Sequence, residues 1–306
     1  MEVGRLSIRP SSGPDAEAGA DAPLVSVLVP CYNRELYIEE ALLSILEQDY
    51  PNFELIVVDD GSQDGSAQRI EALRERYGFQ FYRQQNQGVS AALNTALKYA
   101  RGQYIATPDS DDVMLPGRLA LQVAYLEQHP EVGCVGAGVV YVDANGRRLK
   151  AEKCKPIRAF SFSELLATAR AVGAPVAMYR REAMDRVGGY DPQIRIQDFQ
   201  MTLKIAYLGY RVDILPDLVT LYRKHPGNMS TTAYKRQLDY DLMAIAPYQD
   251  HPGYLPGLTC VMNKALKHSV VSQKGYALGL LMKIPPWRWN RVTWRRIRQL
   301  VFKFRE

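Results

Sequence analysis

Residues 104–112 read Tyr-Ile-Ala-Thr-Pro-Asp-Ser-Asp-Asp, a short apolar run that ends in three carboxylates: Asp109, Asp111 and Asp112. Like charges this close repel one another, and a cation set among them offsets the repulsion. Oxygen ligands of this kind suit a hard divalent ion, Mn²⁺ or Mg²⁺, which commonly takes one or two carboxylates and completes its shell with substrate phosphates. The same residues also suit a solvated loop, with Asp112 near the N-terminus of a helix that Pro116 could open. Two other unusual clusters follow apolar runs: Pro30-Cys31-Tyr32-Asn33 and Asp59-Asp60-Gly61-Ser62.

The elements that must position these clusters alternate. Leu24 to Val29, Phe53 to Val58, Phe79 to Tyr82 and Gln103 to Thr107 read as strands, the first two as buried on both faces. Glu35 to Gln48, Gly65 to Tyr77, Gly88 to Tyr99 and Pro116 to Gln128 have helical spacing. This order predicts an α/β fold with a Rossmann-like, doubly wound, mostly parallel sheet. In such sheets ligands lie beyond the carboxyl ends of the strands, where all three clusters fall. Further on, Val132 to Val142, Arg211 to Leu215 and Val219 to Tyr222 read as strands, Ala174 to Tyr179 is another apolar run, and Asn145-Gly146 is a hairpin turn signal. Asp198 to Leu208 reads as a helix that Asp198 would cap, and residues from Tyr234 onward are helical in pattern.

Bulk properties exclude several classes. At 306 residues, 47% hydrophobic and 23% charged, the chain suits one large globular α/β unit with a helical appendage. Residues 1–22 lack an apolar run and read as a disordered arm. No stretch is long and apolar enough to span a bilayer. Cys31, Cys134, Cys154 and Cys260 lack zinc-ligand spacing and read as free thiols of a reducing compartment. The net charge of +5 is local: residues 283–306 carry eight Lys/Arg against one Glu, and the rest carries 30 Lys/Arg against 32 Asp/Glu. A nucleic-acid surface over the whole domain is therefore not expected.

Taken in order, SVLVPCYN, ELIVVDDGSQDGS, QNQGVSAALNTAL and GQYIATPDSDD resemble the nucleotide-sugar half of the family 2 glycosyltransferases. The resemblance extends over residues 24–230 and implies the GT-A fold of that family. It divides the chain into a glycosyltransferase domain at 23–232 (nucleotide-sugar half 23–115, acceptor half 116–232) and a helical extension at 233–306.

The resemblance implies roles residue by residue. Pro30, Tyr32 and Asn33 would border the base. Asp60 would accept the N3–H of a uracil or thymine, as a carboxylate can, and Asp59 would support it. Gly88 and Asn94 belong to another nucleotide-binding signature, in which the family's frequent Arg is Leu93 here. Asp109-Ser110-Asp111 resembles the DXD motif, with Asp111 as metal ligand, Asp109 at the ribose or metal shell, and Asp112 in a less defined supporting role. Gln197-Asp198 stands where the family usually has Glu-Asp. Asp198 would then be the catalytic base, while the neutral Gln197 places the role of the usual Glu in doubt. The segment Tyr222 to Ser230 resembles the part that closes over the diphosphate. There His225 would ligate the metal or donate to a phosphate, with Arg223 and Lys224 adding positive charge.

The implied activity is inverting, metal-dependent transfer of a hexosyl or rhamnosyl group. The donor would be a UDP- or dTDP-sugar and the acceptor a glycan or lipid-linked glycan, in synthesis of bacterial surface polysaccharide such as O-antigen, lipopolysaccharide or capsule. A processive synthase would carry membrane spans and a QxxRW motif, but Pro285 precedes Arg288-Trp289 at the glutamine position. A non-catalytic sugar-nucleotide binding or scaffold protein is the alternative from another class. In the tail, Trp289, Val292, Trp294, Ile297, Val301 and Phe304 recur at helical spacing among arginines that include Arg288, Arg291, Arg295, Arg298 and Arg305. Residues 283–306 are thus expected to dock on anionic lipid or on a protein partner. The expected location is cytoplasmic, peripheral on the inner face of the membrane.

Overall fold

A computed structural model describes residues 22–151, 156–228, 234–270 and 273–302. The expected arm at 1–22, apart from Ala22, lies outside the described residues, as do Cys154, Met229, Ser230, Phe304 and Arg305.

The first half alternates strand and helix as the pattern requires. It runs β1 (Val25–Cys31), α1 (Ile38–Leu46), β2 (Phe53–Asp59), α2 (Ser66–Tyr77), β3 (Gln80–Arg83), α3 (Val89–Tyr99) and β4 (Tyr104–Ala106). Next come β5 (Val113–Met114), α4 (Arg118–Gln128), β6 (Val132–Val142), β7 (Arg148–Ala151), β8 (Arg158–Phe160) and α5 (Phe162–Thr168). The remainder is β9 (Met178–Arg180), α6 (Arg181–Arg186), α7 (Gln197–Tyr207), β10 (Arg211–Arg223), α8 (Tyr234–Ile245), α9 (Tyr254–Ser269), α10 (Lys274–Met282) and α11 (Arg291–Phe302).

One sheet joins the strands in the order β3-β2-β1-β4-β9-β6-β10-β5, with β7 beside β6 and β8 beside β10. Parallel ladders carry most of the paired residues: β3 to β2, β2 to β1, β1 to β4 and β6 to β10. Antiparallel β9 links the two parallel blocks. Val27, Leu28, Val29, Ile56, Val57 and Val58 are fully buried, as expected of strands covered on both faces.

Two expectations are refined by proline chemistry. The apolar run at 174–179 divides in two: Ala174–Val176 forms a 3₁₀ turn around Pro175 before β9 begins at Met178. Conversely, the two strands expected at 211–215 and 219–222 are one strand, β10, whose register with β6 shifts between Ile214 and Leu218. Pro216 falls in that gap, and its missing N–H interrupts the ladder without ending the strand.

The C-terminal helices are not a separate body. Leu238, Ile245, Val261, Leu266 and Leu280 belong to the same hydrophobic cluster as the sheet. Helix α11 is tied to α9 through the Asn263 amide, which donates to Thr293 Oγ1 at 2.9 Å.

Arg118 is the largest fully buried side chain and sits at the seam between the sheet halves. Its guanidinium donates to Pro175 O at 2.5 Å, Thr220 Oγ1 at 3.1 Å and Ala177 O at 3.3 Å, and also to Gln122. Burial lowers its pKa to about 10, and Asp112 and Asp109 oppose that shift. Arg118→Met would strand several carbonyl acceptors and remove a cation from behind the acidic loop. We expect it to cost about 3 kcal/mol in urea-unfolding stability; a change within 0.5 kcal/mol of zero would contradict this account of the seam.

Candidate active site

The carboxyl ends of the strands open into one cleft of about 1170 Å³. Its lining includes Pro30, Tyr32, Asn33, Asp60 and Gly88 from the loops after β1, β2 and β3 on the first side, Asp109 and Asp111 from the loop after β4, here called the floor, and Gln197, Asp198 and Lys224 from the start of α7 and the end of β10. Residues far apart in the chain, such as Pro30 and Asp198, 168 positions apart, therefore face a single space.

On the first side, Asp60 is nearly fully buried and organises the loop ahead of α3. It accepts from Gln84 Nε2 at 2.8 Å, Gln87 N at 2.9 Å and Gly88 N at 2.7 Å. Gly88 has φ +90°, which a side chain rarely adopts, and an added Cβ would lie 3.1 Å from Arg195 Nε. Asp59 does not line the cleft. It lies beneath, accepting from Ser62 N at 3.2 Å and Arg83 Nε at 3.2 Å. Asn33 has φ 51°, and its side chain accepts from Gln63 N at 2.9 Å. Asn94 also lies outside the cleft wall; its amide pairs with both backbone groups of Tyr190 at 2.8 and 2.9 Å.

At the floor, Asp109, Asp111 and Asp112 can bring one carboxylate oxygen each to within 4.8 Å of one another. Asp112 Oδ1 accepts from Arg223 N at 2.7 Å, while its buried Oδ2 has no hydrogen-bond partner. Burial pushes Asp109 up to about 8, with Asp111 and Asp198 adding to the rise. Burial also raises Asp112 well above its ordinary value, reinforced by Asp109 and Asp111. An all-oxygen cluster with one unpartnered buried oxygen fits a hard divalent cation. Asp111 and Asp109 would hold it, with Asp112 behind them.

Asp111 already has two donors on Oδ2: Arg34 Nε at 2.8 Å and His225 Nε2 at 3.0 Å. His225 Nδ1 accepts from Gly227 N at 3.2 Å, which leaves the ring proton on Nε2. That tautomer suits donation to a carboxylate or phosphate oxygen. Ligation of a cation through Nε2 would require the proton to move to Nδ1 and the Gly227 bond to be given up. The ring packs on Tyr37 at 4.7 Å between centroids. Arg223, buried, is committed to structure: it donates to Asp111 O at 3.0 Å and Glu40 at 2.5 Å. Lys224 does face the cleft and lies 4.6 Å from the Tyr141 ring centre.

Asp198 sits in the first turn of α7, its Oδ1 accepting from Phe199 N at 2.8 Å. Burial raises its pKa; the hydrogen bond from Phe199 N and the charge of Lys264 oppose the rise. Lys264 comes from α9, donates to Ala169 O at 2.6 Å and lies 5.3 Å from the Phe199 ring centre. It also opposes the rise at Asp241 of α8, whose carboxyl burial pushes up to about 6. The sequence expectations did not include Arg34, Lys264 or Asp241. Arg34 directly follows the Pro30-to-Asn33 cluster and was within reach of sequence reading. Nothing in the order of residues places Lys264 beside Asp198.

These features coincide with the chain's relationships. The Glycosyl transferase family 2 model matches residues 26–188, more than half of the chain, and the protein belongs to that family. The amylovoran biosynthesis glycosyltransferase AmsE of Erwinia amylovora is 28% identical over 208 residues, 65% of this chain and 76% of AmsE. The S. aureus TarS 1-349 structure in complex with UDP-GlcNAc has a TM-score of 0.65 at 23% identity, covering 90% of this chain and 81% of that one. The mannosyltransferase PcManGT of Pyrobaculum calidifontis, in complex with GDP-Man and Mn²⁺, has a TM-score of 0.62 at 24% identity, covering 92% and 87%. Both structures share the GT-A arrangement of the sheet.

The raised pKa of Asp241 has a signed consequence. The folded protein holds this proton more tightly than the unfolded chain, so the contribution is full below about pH 4 and is lost as pH rises through about 6. Asp241→Asn removes that loss. Its stability relative to the parent should be unchanged near pH 4 and exceed it by about 2 kcal/mol at most near pH 7.5. Melting curves at both pH values check this; an equal effect at both would show that Asp241 does not titrate between them.

Proposed function

We propose that this glycosyltransferase moves a sugar from a UDP- or dTDP-sugar to an acceptor hydroxyl with inversion at the anomeric carbon. The observation that carries the reading is that Asp60, Asp111 and Asp198 share one cleft. Tyr32, more than one-third exposed, offers a ring face to a base, and the Asp60 carboxylate lies beside it as an acceptor for a ring N–H. A cation held by Asp111 and Asp109 would supply positive charge to the departing diphosphate. His225, through its Nε2–H, would donate to a phosphate oxygen, and Lys224 adds charge on the same wall.

Asp198 takes the proton of the attacking hydroxyl. The acceptor oxygen bonds to the anomeric carbon as the bond from that carbon to the diphosphate oxygen breaks, and the electron pair leaves on the diphosphate. A base made more basic by burial, yet kept ionisable by Lys264, suits this step. Gln197, also on the wall, can only hydrogen bond, so the base role falls on Asp198 alone.

A role in bacterial polysaccharide synthesis is supported by the likeness to AmsE. Peripheral docking on anionic lipid is supported by the tail: Trp294, Val301 and Phe302 are exposed on α11, and Trp287 is 82% exposed just ahead of it. Part of the expected stripe turns inward instead, since Trp289 and Ile297 pack on the core. No helix among the described residues is long and apolar enough to cross a membrane. We take residues 23–232 as the glycosyltransferase domain and 233–306 as its helical extension, with Lys264 reaching from the second toward the base of the first.

Two variants test the mechanism by the release of UDP from a matched donor and acceptor. Asp111→Ala should abolish Mn²⁺-dependent turnover and the thermal stabilisation that UDP with Mn²⁺ gives the parent. Asp198→Asn should lower transfer at least about a hundredfold while UDP affinity stays within about twofold. Transfer retained by Asp198→Asn would remove it as the base.

A further inference from the structure

We propose that the acceptor half of the cleft contains an anion subsite, formed by Arg158 and Arg170, that recognises a phosphate or carboxylate on the acceptor. This inference rests on the transfer reading above and names the acceptor chemistry that the same cleft selects.

Both arginines line the cleft. Arg158 lies on β8, opposite Ile214 of β10, and shares a strand face with Phe160 two residues on. Its guanidinium carbon is 5.8 Å from the Phe160 ring centre. Arg170 follows the left-handed Ala169 that ends α5, and its guanidinium carbon lies 4.9 Å from the same ring. One aromatic ring thus gathers two cations that start twelve residues apart.

Their surroundings leave the charge unanswered. Arg34 and Arg223, near the acidic floor, are paired with Asp111 and Glu40. Arg158 and Arg170 form no ion pair with a carboxylate among the described residues, and Arg170 is exposed. A ring face attracts a guanidinium but does not neutralise it, so two like charges share one ring with no carboxylate paired to either among the described residues. A planar guanidinium fork matches carboxylate and phosphate oxygens, and two of them make the match selective.

The position relative to the chemistry fixes which substrate carries the anion. Arg170 is four residues before Ala174, whose backbone lies near enough to the Asp198 carboxylate to oppose the rise of its pKa. Four residues of chain span at most about 14 Å, so Arg170 starts near the base, and the shared Phe160 ring ties Arg158 to it. The proposed donor contacts Tyr32, Asp60 and Gly88 come instead from the loops after β1, β2 and β3. The lining of the same cleft also includes the apolar Ala137, Val139, Val172 and Ile214. An acceptor with its hydroxyl at Asp198 would cross this surface and present an acidic group to the arginines. That group could be the diphosphate linking a glycan to a lipid, or an acid within the glycan.

The test uses the full chain saturated with UDP and MnCl₂, so that the donor's phosphate site is filled. Farnesyl diphosphate is titrated against farnesol, and trigalacturonate against its methyl ester, by calorimetry. The parent should bind at least one anionic probe more tightly than its neutral counterpart. The double variant Arg158→Gln/Arg170→Gln should weaken that binding about tenfold with the affinity for UDP unchanged. The lysine pair should recover part of the loss. Loss confined to farnesyl diphosphate assigns the anion to a lipid-linked diphosphate; loss confined to trigalacturonate assigns it to an acidic glycan. Neither anion preferred over its neutral form, an unchanged affinity in the glutamine variant, or a tenfold loss of UDP binding would overturn the subsite. If the parent fails to bind UDP with Mn²⁺ yet binds an anionic probe through these arginines, the subsite stands and the donor reading falls.

Discussion

Carboxylates that repel one another are gathered where the sheet ends, and the rest of the structure answers to that constraint. Asp109, Asp111 and Asp112 share a floor with Asp198 close enough for its charge to raise Asp109. Left alone, such a cluster would push apart or protonate. The protein instead surrounds it with donors taken from distant parts of the chain. Arg34 and His225 reach Asp111, the backbone of Arg223 reaches Asp112, and Arg118 stands behind them in the seam. These groups hold the cluster without neutralising it, leaving a buried oxygen of Asp112 unanswered. A site kept short of positive charge in this way would suit the divalent ion and diphosphate of the proposed reaction.

The sheet makes this possible because its parallel blocks end at one edge. Loops after β1, β2 and β4 project together there, and backbone geometry does part of the work. Asp60 is fixed by three donors from the loop between β3 and α3, and Gly88 at φ +90° lets that loop approach closely. Pro216 interrupts the ladder between β10 and β6, and Pro175 sits in the 3₁₀ turn ahead of β9, which links the two parallel blocks.

The helical extension belongs to this economy of charge as well. Lys264 opposes burial at both Asp198 and Asp241, so the ionisation of the proposed base depends on a residue from beyond the acceptor half. The same cleft carries cations of a different kind. Arg158 and Arg170 are gathered by Phe160 and have no acid to answer them among the described residues. One cleft therefore holds an acidic floor and a pair of arginines, an arrangement that would suit two substrates of unlike charge pattern.

The sequence by itself determined the strand-helix alternation of the first half, because buried parallel strands and amphipathic helices leave distinct periods. It also exposed the clusters on the rim, because carboxylates at 59–60 and 109–112 directly after apolar runs are locally anomalous, whereas the role expected of Asp198 came from the family resemblance. Boundaries shifted by a few residues where proline replaced a ladder bond, as at Pro175, or failed to end a strand, as at Pro216. Only the tertiary structure decided that Arg223 is structural while Lys224 faces the cleft, and that Asn94 pins Tyr190 rather than lining it. The same holds for Lys264 and for the arginine pair on Phe160. Local pattern reports which face of an element is buried, whereas a meeting of side chains far apart in the chain is set by packing.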